Sequence, residues 1–222
     1  SVQDKHAQLS AHILASLALD KSLTVLDACT APGGKLAHLL ELEQSKTFHV
    51  KHQNIAYVIA LDNDEKRLQR VSQNLERLQL NQENVQLVCD DATTFQADTQ
   101  FDVIVLDAPC TATGVIRRHP DIALLRTEED VGQTAALQAN ILANCWHNLA
   151  TNGYLLYITC SMLKAENENQ LQAFLATHKE AQIVDFSLNL SNQIKRDIGY
   201  QCLPLHQNDG DGFYYALLQK RG

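Results

Sequence analysis

The chain has 222 residues, room for one large domain or two small ones, and its hydrophobic share of 45% needs neither disulfides nor metal to build a core. A formal charge of −8 and a pI near 5.5 exclude a face that is basic throughout, so nucleic acid would have to be held by a local basic patch or by a segment outside this chain. No signal peptide and no apolar run of bilayer length is present, and the cysteines lack C-x-x-C spacing, which points to reduced cytosolic thiols and no zinc site.

The first residue is Ser1 rather than Met, as expected of a fragment, and residues 1–20 read as a helical lead-in. Apolar, β-branched runs then alternate with helical stripes. Strands are expected at LTVLDA (23–28), AYVIAL (56–61), NVQLVC (84–89), FDVIVL (101–106), GYLLYIT (153–159), AQIVDF (181–186) and FYYALLQK (213–220). Helical stripes run through Leu68, Val71, Leu75 and Leu78, through Leu137, Ile141, Cys145 and Leu149, and through Leu171, Phe174 and Leu175. The polar stretch 44–54 reads as a surface loop. Alternating strands and helices imply an α/β fold with a mainly parallel seven-stranded sheet and helices on both faces. The last two strands have no convincing helix between them, and NDGDGF precedes the final one, so an antiparallel edge strand entered through a glycine turn is expected.

Three consecutive strand ends carry candidate ligand groups. The first ends in LDACTAPGGK, where Gly33 and Gly34 let the backbone approach a ligand at the start of a helix. The loop has neither G-x-G-x-x-G nor P-loop spacing, which disfavours dinucleotides and nucleoside triphosphates. Asp62 follows the second strand, where a carboxylate can accept both hydroxyls of a ribose. Asp90 follows the third, in reach of an adenine amino group. S-adenosylmethionine, a nucleoside with no phosphate to neutralise, fits this set. The competing reading is that Asp62 and Asp64 only cap a helix.

LDAPCTATG and YITCS each place a cysteine, Cys110 and Cys160, just past a buried strand. Amino-methylating enzymes carry [DN]-P-P-[YF] at the first of these positions, and a cysteine there changes the chemistry. Carbon 5 of a pyrimidine is a poor nucleophile. A thiolate adding to carbon 6 makes the ring an enamine that can take a methyl group, and an acid at ring nitrogen 3, for which Asp107 is placed, assists. Pyrimidine-methylating DNA enzymes use the cysteine after proline, which would favour Cys110; the residues alone leave the choice open. Cys145 reads as core, and Cys89 and Cys202 as structural.

CTAPGGK, ALDNDEKRL, LDAPCTATGVIRRHPDI, YITCSMLKAEN and DGDGFYYA, in that order, resemble the Sun/Fmu family of RNA cytosine-5 methyltransferases, and GVIRRHPDI is most similar to its bacterial 16S ribosomal RNA enzymes. The resemblance covers essentially the whole chain. It implies a Rossmann-like, S-adenosylmethionine-dependent methyltransferase that forms 5-methylcytosine in 16S rRNA through a covalent cysteine adduct. It further implies that Cys160 attacks and Cys110 assists release, with cofactor contacts from Cys29, Thr30, Ala31, Pro32, Gly33, Gly34, Lys35, Asp62, Asp90 and Asp107. A cytoplasmic monomer without membrane or metal is expected, and the family's N-terminal helical RNA-binding region is absent from 1–222.

Thr30 and Thr111 stand where that family has Ala and Ser, and Asp91 stands where it has Gly, which alters the adenine end. Arg117 and Arg118, beside Cys110, are candidates to pair with phosphates and hold a flipped nucleotide. DGDG (209–212) lacks the glutamate of a calcium loop and reads as a turn. Two alternatives compete. Retention of both thiols with Asp107 argues against a non-catalytic RNA-binding module, and the missing dinucleotide fingerprint argues against a nicotinamide oxidoreductase.

Overall fold

All seven expected strands form in the computed structural model, which describes residues 2–17, 19, 21–44, 54–80, 83–188 and 190–222. Strands β1 (Ser22–Ala28), β2 (Asn54–Asp62), β3 (Val85–Cys89), β4 (Phe101–Asp107) and β5 (Leu149–Thr159) pair in parallel in the order β3–β2–β1–β4–β5. Beyond them come β6 (Ala181–Val184), two strands that no apolar run announces, β7 (Gln193–Lys195) and β8 (Tyr200–Cys202), and finally β9 (Phe213–Lys220). The helices are α1 (Leu9–Ala15), α2 (Gly34–Gln44), α3 (Glu65–Arg77), the single turn α4 (Ile122–Leu125), α5 (Glu128–Asn148) and α6 (Glu168–Thr177). The helical lead-in expected over 1–20 is thus one short helix, and the loop expected over 44–54 lies, for 45–53, outside the described residues.

Successive side chains of a strand point to opposite faces, and the central strands are apolar on both. Val25, Val103, Val105, Leu156 and Ile158 face a core completed by Ile13 and Leu14 of α1, Leu36 and Leu40 of α2, and Leu68, Val71 and Leu75 of α3. Their neighbours Leu26, Ile104, Leu106, Leu155 and Tyr157 face a second core completed by α5 and α6 through Ile141, Leu142, Trp146, Leu171 and Phe174. Each of these side chains contributes roughly 1.5–3 kcal/mol on leaving water. A capping box between Thr127 and Asp130 starts α5.

The last strand departs from expectation. β9 is antiparallel to β5 but is not an edge: its first half pairs with β8 and its second half with β6. The reason lies in its composition. Phe213 to Leu218 are all buried, on both faces, and an edge would leave their backbone unpaired. The sheet's order reverses between β1 and β4, which are neighbours although their connections lead to opposite faces. A crevice therefore opens at the carboxyl ends of these strands, where ligands bind in folds of this kind.

Candidate active site

Past β1 the chain turns sharply. Cys29 has a φ of 61°, the Ala31–Pro32 bond is cis, and Gly33 has a φ of 88°. A Cβ on Gly33 would lie 2.9 Å from Cγ1 of Val71, so both the backbone conformation and the approach of α3 require glycine there. Buried Asp62 ties the turn down: its Oδ2 accepts from the Ala31 N–H at 3.1 Å and its Oδ1 from the Asp64 N–H at 3.2 Å. The helix cap is Asp64, which accepts from the N–H groups of Lys66 and Arg67, so Asp62 is left facing a cavity.

That cavity, about 310 Å³, is walled by Cys29, Ala31, Asp62, Asp91, Ala92 and Asp107, by the thiols Cys110 and Cys160, and by Leu137 and Ile141 of α5. Of the expected cofactor residues, Cys29, Ala31, Asp62 and Asp107 line it. Thr30, Pro32, Gly33, Gly34 and Lys35 instead face a larger cavity of about 580 Å³ on the other side of the loop, and Asp107 belongs to both walls. Asp90 is exposed and lies just off the smaller cavity, whose wall there is Asp91 and Ala92. Leu137, expected in a buried stripe of α5, is 42% exposed and is part of the same wall.

The two thiols meet. Cys110 Sγ lies 3.3 Å from Cys160 Sγ, although 50 residues separate them. Their surroundings differ. The hydrogen bond from Cys110 holds Cys160 below the ordinary thiol range; burial and Asp107 oppose this, and Lys35 reinforces it. The same hydrogen bond, with burial and nearby Glu166, pushes Cys110 well above that range, so Cys110 keeps its proton. Cys29 is no rival nucleophile, since burial first and then Asp107 push it up to about 12. Cys145 and Cys202 are core residues as expected, whereas Cys89 is exposed at the end of β3.

Two further features are invisible to motif spacing: the pairing of Lys35, itself expected in the loop, with Asp107, and the carboxyl of Asp27. Lys35 donates from Nζ to Asp107 Oδ2 at 2.5 Å across 72 residues of chain. Burial alone would lower the Lys35 pKa, but the Asp107 carboxylate outweighs it and raises the pKa above the usual range. Asp27, in β1, is buried and accepts from Thr30 Oγ1 at 2.5 Å, its other oxygen without a hydrogen-bond partner among the described residues. Burial pushes its carboxyl up to about 7. No periodicity marks Asp27, because it sits inside an otherwise apolar strand.

The two arginines sit against the DGDG turn. Arg117 donates to the carbonyls of His206 (2.9 Å) and Asp209 (2.8 Å), and Arg118 pairs with Asp211 Oδ2. Asp211 is fully buried in the DGDG turn, and a buried carboxylate needs a compensating cation. The pair thus clamps a turn, and Arg118 also borders the larger cavity.

Residues 14–219 match the family described as 16S rRNA methyltransferase RsmB/F. The chain belongs to that family. It is 48% identical over 220 residues to ribosomal RNA small subunit methyltransferase B of Shewanella oneidensis, covering 99% of this chain and 47% of that protein. It is 43% identical to the Proteus mirabilis protein of the same name, covering 100% of this chain and 46% of the other. The chain thus spans about half the length of these relatives. Among solved structures, NSun6 from Pyrococcus horikoshii with SFG is 27% identical with a TM-score of 0.80, covering 99% of this chain and 53% of that one. In this RsmB/F-family chain, four segments far apart in sequence (the CTAPGGK loop and the ends of β2, β4 and β5) converge on one crevice. No helix among the described residues is long and apolar enough to cross a membrane.

Proposed function

We propose that this chain transfers a methyl group from S-adenosylmethionine to carbon 5 of a cytosine in 16S rRNA, through a covalent bond from Cys160 to carbon 6. The observation that carries the reading is the contact of the two thiols, 3.3 Å apart, on the wall of an acidic cavity of about 310 Å³ beside the Lys35–Asp107 pair. The names of the relatives supply the RNA, and the residues supply the chemistry. The cavity suits a sulfonium nucleoside in volume and charge. Asp62, Asp91 and Asp107 complement a cation, whereas a pyrophosphate would find only Arg67, which already lies 3.5 Å from Asp62. Asp62 would accept the ribose hydroxyls, and Asp90 and Asp91 would bound the adenine. When bound, this cofactor supplies an electrophilic methyl group.

The chain's own residues do the rest. Cys160, favoured as thiolate by the Cys110 hydrogen bond and by Lys35, adds to carbon 6. The Lys35–Asp107 pair meets the pyrimidine at nitrogen 3, where a shared proton offsets the charge that the addition creates. After methyl transfer the proton on carbon 5 passes to a base, water reaching the open cavity, and the carbon 6–sulfur bond breaks. Cys110, which keeps its proton 3.3 Å away, assists by hydrogen-bonding the departing Cys160 thiolate. The larger cavity, bounded by Lys35, Arg118 and Phe213, leaves Asp107 open to a nucleotide from the opposite side.

The test uses denaturing gels of the full-length protein with 16S rRNA and S-adenosylmethionine. Cys160→Ala should lose methylation and any covalent RNA adduct, and Cys110→Ala should accumulate the adduct. An adduct that persists in Cys160→Ala and vanishes in Cys110→Ala would make Cys110 the nucleophile. Cofactor binding without methylation of any rRNA would favour a non-catalytic RNA-binding module.

A further inference from the structure

A buried carboxylate outside the reacting groups joins the two thiol loops. Glu166 is fully buried in the short turn before α6. Its Oε1 accepts from the Thr111 N–H at 2.7 Å, and its Oε2 accepts from Thr111 Oγ1 at 2.6 Å and from Ser161 Oγ. Thr111 follows Cys110 and Ser161 follows Cys160, so one side chain grips the residue after each thiol. The same turn is anchored from below, where the Tyr157 hydroxyl donates to the Glu166 carbonyl at 2.8 Å. Thr113 Oγ1 lies 3.2 Å from Ser161 Oγ and accepts from the Met162 N–H at 2.9 Å, which extends the tie along both loops. Burying a carboxylate is costly unless donors surround it. Here every donor belongs to one thiol loop or the other.

We propose that Glu166 is a positioning residue that holds Cys110 against Cys160, so that Cys110 donates its S–H and Cys160 is the sulfur poised for attack. The proposal rests on the reading of Cys160 as nucleophile, but its test needs neither RNA nor methyl transfer. Glutamine is the discriminating substitution. It has one acceptor oxygen where Glu166 has two, and its NH2 would face hydroxyls that now donate. The tie loosens while the volume stays the same.

The groups facing the pair are few. Cys160 faces Cys110, Asp107, Lys35 and Tyr215, and Cys110 faces Cys160, Glu166 and Tyr157. Among these the negative charge of Glu166 disfavours a thiolate, so losing the charge alone would make the thiols more reactive. Losing the position takes the donated hydrogen bond away from Cys160 and makes it less reactive. The two effects have opposite signs, and a merely structural role moves neither.

The experiment is alkylation of Cys160 by iodoacetamide in the folded full-length protein, read on its peptide by mass spectrometry across a pH series. Cys110→Ala should slow the reaction at neutral pH by about tenfold, because the thiolate fraction falls. Glu166→Gln should slow it to a similar degree, and the double variant should be no slower than Cys110→Ala alone, since both remove the same contact. Thr111→Val, which keeps the carboxylate and its backbone bond, should slow it in part. Glu166→Gln that reacts faster than or like the parent would overturn the proposal, as would a double variant slowed by the product of the single effects. If Glu166→Gln does not fold, Thr111→Val is read by the same two criteria. Loss of the methyltransferase reading would leave these alkylation profiles unchanged, so the two failures are distinguishable.

Discussion

The two ends of the crevice are built differently. The nucleoside end is assembled from consecutive strand–loop units: Asp62 holds the Ala31 N–H, Asp64 caps the helix that follows, and Asp91 accepts from Thr93 two residues on. The thiol end is stitched from segments far apart. Gly114 donates to the Cys160 carbonyl, Gly212 donates to the Gly114 carbonyl, and the lead-in's His6 reaches the Asp211 carbonyl across 205 residues. The lesson is one of tolerance. A locally built cradle survives small changes elsewhere, whereas contacts among distant loops depend on the whole C-terminal extension of the sheet. Ligand recognition and bond making should therefore fail separately.

Gly114→Ala should break the comparison most severely. A Cβ there would lie 2.1 Å from the Gly212 carbonyl oxygen and 2.7 Å from that of Cys160, both backbone atoms that cannot swing aside. A cost of about 4 kcal/mol is expected in urea unfolding, at the upper end for an overpacked site. The folded fraction should still bind S-adenosylhomocysteine in calorimetry. Parent-like stability would show that the thiol loops are not held this closely.

Asp27 sharpens the comparison on the other side, because its burial is a cost within the locally built end. Its carboxyl is raised from an ordinary 3.8 to about 7, so the folded state holds a proton that the unfolded state has already released. Stability from this group is present below the unfolded value and is lost as pH climbs through the window up to about 7. Asp27→Asn should therefore match the parent at low pH, gain progressively between these limits, and level off above them at a gain on the order of 4 kcal/mol. Thermal melts at several pH values would show it. A gain independent of pH would mean that the carboxyl is ordinary.

The same contrast governs what could be read from sequence. All seven expected strands and the convergence of Cys29, Ala31, Asp62, Asp107, Cys110 and Cys160 on one crevice were legible, because each lies at the end of an apolar run and strand ends share an edge. The Lys35–Asp107 pair and the bonds of Glu166 were not, since they span 72 and 55 residues and follow from β1, β4 and β5 being neighbours. Strands β7 and β8 escaped notice because three residues are too few for a period. For Arg117 and Arg118 the sequence shows the charges but not their buried neighbour, Asp211, which only the fold brings beside them.

Leu137 carries the smallest expected effect and separates the two kinds of evidence most cleanly. Periodicity puts it with Ile141 and Cys145 in a buried stripe, and on that reading Leu137→Ser would cost about 2–5 kcal/mol. The structure instead leaves it 42% exposed on the wall of the smaller cavity, which the carboxylates also line. An apolar side chain there has little core to lose, so stability should change by less than about 0.5 kcal/mol. It does have a surface to offer the flat face of a nucleoside base. Its removal should weaken S-adenosylhomocysteine binding by about 1 kcal/mol, roughly fivefold, at unchanged melting temperature. A fall in melting temperature with unaltered affinity would return Leu137 to the core and shorten the nucleoside end of the crevice.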